Sequence, residues 1–399
     1  MRRVVITGIG AVTPIGIGIE AFRNALRNGV CGAGPITRYD SKKFKTHSAF
    51  ELKNFTPPHG TQFLDPFIQY ALAAAAEAAG TARFDSTSVD PYRTGIVVSS
   101  SKGGLHTFHA LRERLERHPS AILGARVYSN CVPNFAAQWI ARKWKIQGPA
   151  KCYVTACATG TTSIIEGARM IQEGTVDYAF AGASDASLVP FLAAGYEQMK
   201  VLSPDGMFPF DRRRKGFLLG EGAGVVFLET LESARARRAK IYAEIAGFAY
   251  GHDCYSATAF DPEADALCRT LKDCARTCKI SPEEIDYLNL HGTGTKEGDL
   301  YETDQIKRAF GKKAGSISAS STKSMTGHML GASGAVEVIA SCLAMEEGFV
   351  PPTVNLEKPD PKCDLDYTPN RAREKKISLA VTHSLAFGGH IAAIALRKV

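Results

Sequence analysis

Apolar residues along this chain fall into two rhythms. The first is a series of short runs, at residues 4–6, 95–98, 178–181, 224–228 and 287–290, most of them flanked by glycine or polar residues. Such runs predict short buried strands. The second is a spacing of three and four residues in the stretches between. Residues 70–80, mostly alanine around Glu77, predict a buried helix, and Ile164, Ile165, Ala168 and Ile171 predict another that opens just after Cys157. Strands that alternate with helices predict a layered α/β fold.

The pattern also repeats. Cys157, Ala158, Thr159, Gly160, Ile165, Glu173 and Gly174 align at one constant offset with Gly331, Ala332, Ser333, Gly334, Ile339, Glu347 and Gly348. Each run follows a strand-like segment, 152–155 in one case and 317–320 in the other. Each is a turn of small residues opening an apolar helix. We read two related halves, 1–240 and 241–399, joined near the Arg/Ala-rich stretch 233–240. No Pro/Ser/Gly-rich linker separates them, so the two are expected to share one core.

Composition narrows the classes of function. No stretch reaches the roughly 18 apolar residues of a membrane span, and the apolar run at 4–6 is too short for a secretory signal. The ten cysteines are scattered with no Cys-x-x-Cys pair, which fits a reducing cytoplasm; Cys274 and Cys278, one helical turn apart, read as reduced packing on a helix face. The net charge of +8 comes without a zinc finger, an aromatic-interleaved basic stretch or a basic tail, so nucleic acid is not expected. Basic clusters at Lys42, Lys43 and Lys45, at Arg112, Arg114 and Arg117, at 212–215 and at 235–240 read as solvated faces or as a docking surface for an acidic protein. Residues 220–224 (Gly-Glu-Gly-Ala-Gly) precede a strand rather than open a helix, so they are not a dinucleotide loop.

Candidate chemistry gathers at strand ends. Cys157 sits between a strand-like segment and a helix, where free backbone N–H groups and the helix dipole favour a thiolate and could hold an oxyanion. His291, in His-Gly-Thr-Gly-Thr, and His328, in Lys-Ser-Met-Thr-Gly-His, each fall just past a strand, the position where ligands bind in open α/β sheets. A third loop, 383–390, follows the strand 377–381. A thiolate can attack an acyl thioester, two neutral imidazoles can stabilise an enolate oxygen, and a buried Lys323 paired with Glu337 can set the charge around them. Asp299 and Glu302, after the His291 loop, read as binding backbone or a basic partner.

Taken together these motifs resemble the β-ketoacyl-acyl carrier protein synthases of the thiolase superfamily, of the Cys-His-His type. They run from residues 4–10 through Thr-Ala-Cys157, Phe210-Asp211, Gly220 to Gly224, His291-Gly-Thr-Gly-Thr, Lys323-Ser-Met-Thr-Gly-His328 and Phe387-Gly388-Gly389. The resemblance implies a five-layered α-β-α-β-α fold and ping-pong condensation of an acyl group with malonyl-acyl carrier protein, releasing CO2. It implies Cys157 as nucleophile, His291 and His328 as promoters of decarboxylation, and Lys323 and Glu337 as their support. It further implies the N–H groups of Cys157 and Phe387 as oxyanion hole, Phe387 as gate with Gly388 and Gly389, and Thr293 and Thr295 as pantetheine contacts. No cofactor is implied. The partners implied are an acidic acyl carrier protein, malonyl and acyl thioesters, and a second subunit, identical or not.

Three departures from the family pattern stand out. Ala386 replaces a glycine and is expected to stiffen the gate. Lys102 stands where relatives line the acyl pocket with small or apolar residues; it either points into that pocket, against an ordinary saturated chain, or snorkels to solvent. His383 replaces an asparagine that helps bind a monovalent cation in some relatives, near Asn289, the Leu290 carbonyl and Glu337. We expect no metal here, with an imidazolium at His383 in its stead; a Na⁺ or K⁺ beside Glu337 would overturn that. Two other functions fit the residues less well. A non-decarboxylating thiolase needs a second cysteine, which the C-terminal loop lacks, and a non-catalytic chain-length subunit lacks the nucleophile present here.

Overall fold

The computed structural model describes residues 2–399. The architecture rests on strands β1 (Val4–Thr13), β2 (Thr94–Ser99), β3 (Tyr178–Asp185), β4 (Gly222–Thr230), β5 (Ala243–His252), β6 (Tyr287–Asn289), β7 (Ser318–Ser320), β8 (Leu379–Leu385) and β9 (His390–Arg397). Hydrogen bonding runs β7-β6-β8-β9-β5-β1-β4-β3-β2, with Gly16–Ile17 folded back on β1. Every residue of β1, β2, β4 and β8 is buried, so both faces of these strands are covered.

The ladder divides at one place. β1 and β5 pair through Val5↔Glu244 and Ile6↔Ala243 alone. On one side lie β1-β4-β3-β2, antiparallel, antiparallel, parallel. On the other lie β5-β9-β8-β6 with the same three relations, extended by parallel β7. The same order of strand relations therefore occurs twice.

Helices form the other layers. α1 (Pro66–Ala82) covers the outer face of the first sheet. Asp65 accepts the Phe67 N–H to cap it, and Pro66 takes the first position, where no N–H is needed. α2 (Leu105–Arg117) buries none of its residues and, with the segment after it, leaves Phe108, Ile122 and Tyr128 exposed. α3 (Thr159–Gln172) packs on β3 and β2, while α4 (Ala266–Thr277) covers β5 and β9 from outside, with α5 (Lys296–Phe310) beside it. α6 (Gly331–Glu347) lies against α3 and reaches both sheets, β4 on one side and β8 on the other. The result is α-β-α-β-α.

The inner pair, α3 and α6, positions the site. A Cβ on Gly160 would stand 2.6 Å from the Ala335 nitrogen, and one on Gly334 would stand 2.1 Å from Thr161 Oγ1. Missing side chains therefore let the two helix beginnings touch. The turn before each helix, one holding Cys157 and the other His328, is brought to the same spot.

Three expectations change. Residues 152–155 are not a strand: the chain meets β2 through a single bridge, Ile96↔Ala150, then climbs into the turn before α3. β8 runs through His383 and Ser384 to Leu385, paired residue for residue with β9, so the loop read at 383–390 shrinks to 386–389. The basic stretch 212–215 is not simply a surface turn. Arg214 is 3% exposed and donates to the Asp211 carbonyl and to Asp360. No helix among the described residues is long and apolar enough to cross a membrane.

Candidate functional site

Cys157 lies in a single tight turn, Ala156–Ala158, directly before α3. Ala156 takes φ +46, a left-handed conformation that is costly for a residue with a Cβ. Thr159 holds the turn by donating to the Ala156 carbonyl at 2.7 Å and accepting the Thr155 N–H at 3.0 Å. Sulfur and helix N-terminus are thereby fixed toward one cavity.

His328 arrives from the other half. Its Nε2 lies 3.2 Å from Cys157 Sγ, and its Nδ1 lies 3.2 Å from Ser333 Oγ. Phe217 meets the ring edge-on at 5.0 Å. The His291 ring stands 5.4 Å from that of His328, at 86°. Glu302 fixes the His291 loop by accepting the N–H of His291 at 2.7 Å and that of Gly292 at 2.8 Å. Asp299 accepts those of Phe210 and Gly294, and burial raises its carboxyl to about 7. Both acids bind backbone, as their position after the loop suggested.

Lys323 is fully buried and pairs with Glu337. Burial pushes both imidazoles well below their usual range, and the Lys323 cation pushes them further. His291 and His328 are therefore neutral at ordinary pH, each with one N–H to donate. Burial also raises the Cys157 thiol, to about 11; the cations of Lys102 and Lys323 and the Phe387 N–H, directed at the sulfur, oppose it. A thiolate here needs a proton acceptor at hand, and His328 Nε2 is in reach.

Cys157, His291, Thr293, Thr295, His328, Ala386 and Phe387 line one cavity of about 720 Å³. Phe387 is half-buried at its wall, with Tyr196 beside it. Gly388 is exposed and Gly389 buried; a Cβ on Gly389 would fall 1.6 Å from the Asp253 carbonyl oxygen. Ala386 is not among the positive-φ residues, so the alanine there is unstrained in this conformation. Lys102 is half-buried, between pointing into the pocket and reaching solvent, and its ammonium has no hydrogen bond or ion pair among the described residues. His383 Nε2 bonds Glu302 at 2.6 Å and not Glu337, while His383 Nδ1, Asn289 Oδ1 and Glu337 Oε2 have no hydrogen-bond partner among the described residues.

Two residues escaped the sequence. Ser333, five positions after His328, was hidden among small residues. Asp185 ends β3 and accepts from Ser100, Ser101 and the Gly331 N–H, tying the Lys102 loop to the start of α6. An acid closing an apolar strand was the signal for it.

Comparison with known proteins gives a consistent picture. Residues 1–234 match the family model "Beta-ketoacyl synthase, N-terminal domain", and residues 242–357 match "Beta-ketoacyl synthase, C-terminal domain". The chain is 39% identical to the 3-oxoacyl-[acyl-carrier-protein] synthase 2 of Staphylococcus aureus (strain COL), over 100% of this chain and 98% of that one. It is 38% identical to the enzyme of the same name from Coxiella burnetii, over 100% and 99%. Among solved structures it is similar to the ishigamide ketosynthase/chain length factor, with a TM-score of 0.94 and 35% identity over 100% and 99% of the chains. It is also similar to a type II PKS acyl-carrier protein in complex with its ketosynthase bound to the hexaketide, with a TM-score of 0.92 and 32% identity over 100% and 99%.

Proposed function

Given that the chain belongs to the β-ketoacyl synthase family and is a condensing acyltransferase, we propose that Cys157 carries the acyl group and that His291 and His328 drive loss of CO2 from a malonyl thioester. In the first half-reaction the Cys157 proton passes to His328 and the thiolate attacks the acyl thioester. The N–H groups of Cys157 and Phe387 hold the oxyanion. The carrier thiolate leaves and takes that proton from His328, so the acyl group rests on Cys157.

In the second, the malonyl carboxylate departs as CO2 and its electrons form an enolate, whose oxygen accepts the N–H of both neutral imidazoles. The enolate carbon attacks the Cys157 thioester, the new C–C bond forms, and the Cys157 thiolate leaves. The Lys323 cation disfavours a lasting charge on either imidazole, so His328 gives up the proton it took, while Glu337 balances Lys323. Thr293, Thr295 and the turn at Gly388 and Gly389 receive the pantetheine arm. The observation carrying this reading is the 3.2 Å contact between Cys157 Sγ and His328 Nε2, with His291 in the same cavity.

An acyl carrier protein delivers both thioesters, a reading supported by the carrier complex among the similar structures and by the chain's excess of basic residues. A second subunit, most simply another copy, covers the exposed apolar side chains around α2. The halves 1–240 and 241–399 are two copies of one unit, a reading supported by their shared strand order. A cytoplasmic location is supported by ten unpaired cysteines. The unpaired Lys102 and the similarity to a ketosynthase/chain length factor favour a second reading, in which this chain is the catalytic subunit of a heterodimer making a specialised product.

The test uses purified protein. Acyl-carrier thioester should add the acyl mass to Cys157, malonyl-carrier should then release CO2, and Cys157→Ser should lose condensation. Acylation of another residue, or full condensation by the serine variant, would refute the assignment.

A further inference from the structure

We propose that His252 and His390 form a metal site, a cross-strand pair of imidazoles that takes one borderline divalent ion of the zinc class. The two residues are directly opposite in the antiparallel pairing of β5 and β9, so their side chains leave the same face. Their rings stand 5.4 Å apart at 72°. That spacing lets one nitrogen of each ring come to about 3.3 Å, the separation that a tetrahedral zinc requires at Zn–N distances of about 2.05 Å.

Other observations make the pair available. Neither ring has a hydrogen-bond partner among the described residues. His252 is exposed and His390 half-exposed, so an ion has access and water can complete its coordination. The neighbouring Asp253 carboxylate is already spent, accepting the N–H groups of Tyr255 and Asp261.

The location gives the site a consequence. His390 follows Gly388 and Gly389, and its ring lies against Gly388, 3.6 Å from where a Cβ would stand. An ion held by both histidines ties the end of β5 to the start of β9, across the base of the turn that carries Phe387. Occupancy therefore fixes that turn and slows condensation. This last step rests on the role proposed for Phe387, whereas binding does not.

Binding is tested by calorimetric titration of the untagged full chain with Zn²⁺, against His252→Ala and Cys254→Ser. One ion per chain should bind to the wild type and to Cys254→Ser, with affinity weaker by about tenfold or more in His252→Ala. His252 is exposed, so the variant should unfold at the wild-type temperature, and its metal-free turnover should be unchanged. His390→Gln is the second variant and should weaken the same site. A titration of His252→Ala that matches the wild type, or a site lost in Cys254→Ser but kept in His252→Ala, would overturn the proposal. Slowing of wild-type turnover by Zn²⁺, reversed by chelator and reduced in His252→Ala, supports the link to the gate; binding without slowing refutes that link alone.

Discussion

The turn before α3 and the turn before α6 occupy equivalent places in the two halves, yet their chemistry differs. The first offers Cys157 and surrounds it with hydroxyls: Thr155, Thr159, Thr162 and Ser163. The second offers His328 and is backed by charge: Lys323, Glu337, and beyond them Glu302 with His383. One turn thus presents a thiol and the other an imidazole backed by paired charge. Charge can be buried in the second copy because it is paired there.

That division can be broken at its strongest point. Lys323→Met leaves Glu337 buried and unpaired, and should cost about 3–5 kcal/mol of stability, read as the midpoint of urea unfolding. Its double partner Lys323→Met/Glu337→Leu should recover most of that loss but not activity. An unchanged midpoint in the single variant would mean that the pair is not the keystone of the second half.

His328→Ala separates the two chemistries at the atom where they meet. Release of CO2 from malonyl-carrier should fall by about 10²–10³-fold, because a donor to the enolate is gone. Acylation of Cys157 should persist at a reduced rate, seen by intact mass. Equal loss of both half-reactions would show that the imidazole serves the thiol as much as the enolate.

The smallest effect tests a cation on the Cys157 side of the cavity. The Lys102 cation opposes the rise of the Cys157 thiol. Lys102→Met should therefore raise the thiol further, leave less thiolate at about pH 8, and slow alkylation by iodoacetamide there. The midpoint of the alkylation profile should move to higher pH. No movement would place the ammonium's field elsewhere and favour its role in shaping the acyl pocket.

Much of this was legible in the sequence. Local periodicity announces strands and helices, and a constant offset announces the repeat, because both are written in consecutive residues. Cys157, His291 and His328 were legible as candidates, since each interrupts a strand-to-helix turn with a reactive side chain among small ones. The extent of β8 was not legible: whether His383 and Ser384 lie in a strand depends on a partner, β9, and not on their own propensity. The same holds for residues 152–155, whose composition suits a strand but whose backbone is bent into the Cys157 turn.

The sequence by itself determined the layered α/β class and the condensing-enzyme family. Tertiary structure alone decided that the sulfur and an imidazole 171 positions apart stand 3.2 Å from each other. It also decided that His383 answers to Glu302 rather than Glu337. The physical reason is the same for both. Helical and strand order follow from neighbours along the chain, whereas the first contact depends on two helices approaching where glycine leaves room and the second on where α5 meets β8, distances that no local pattern encodes.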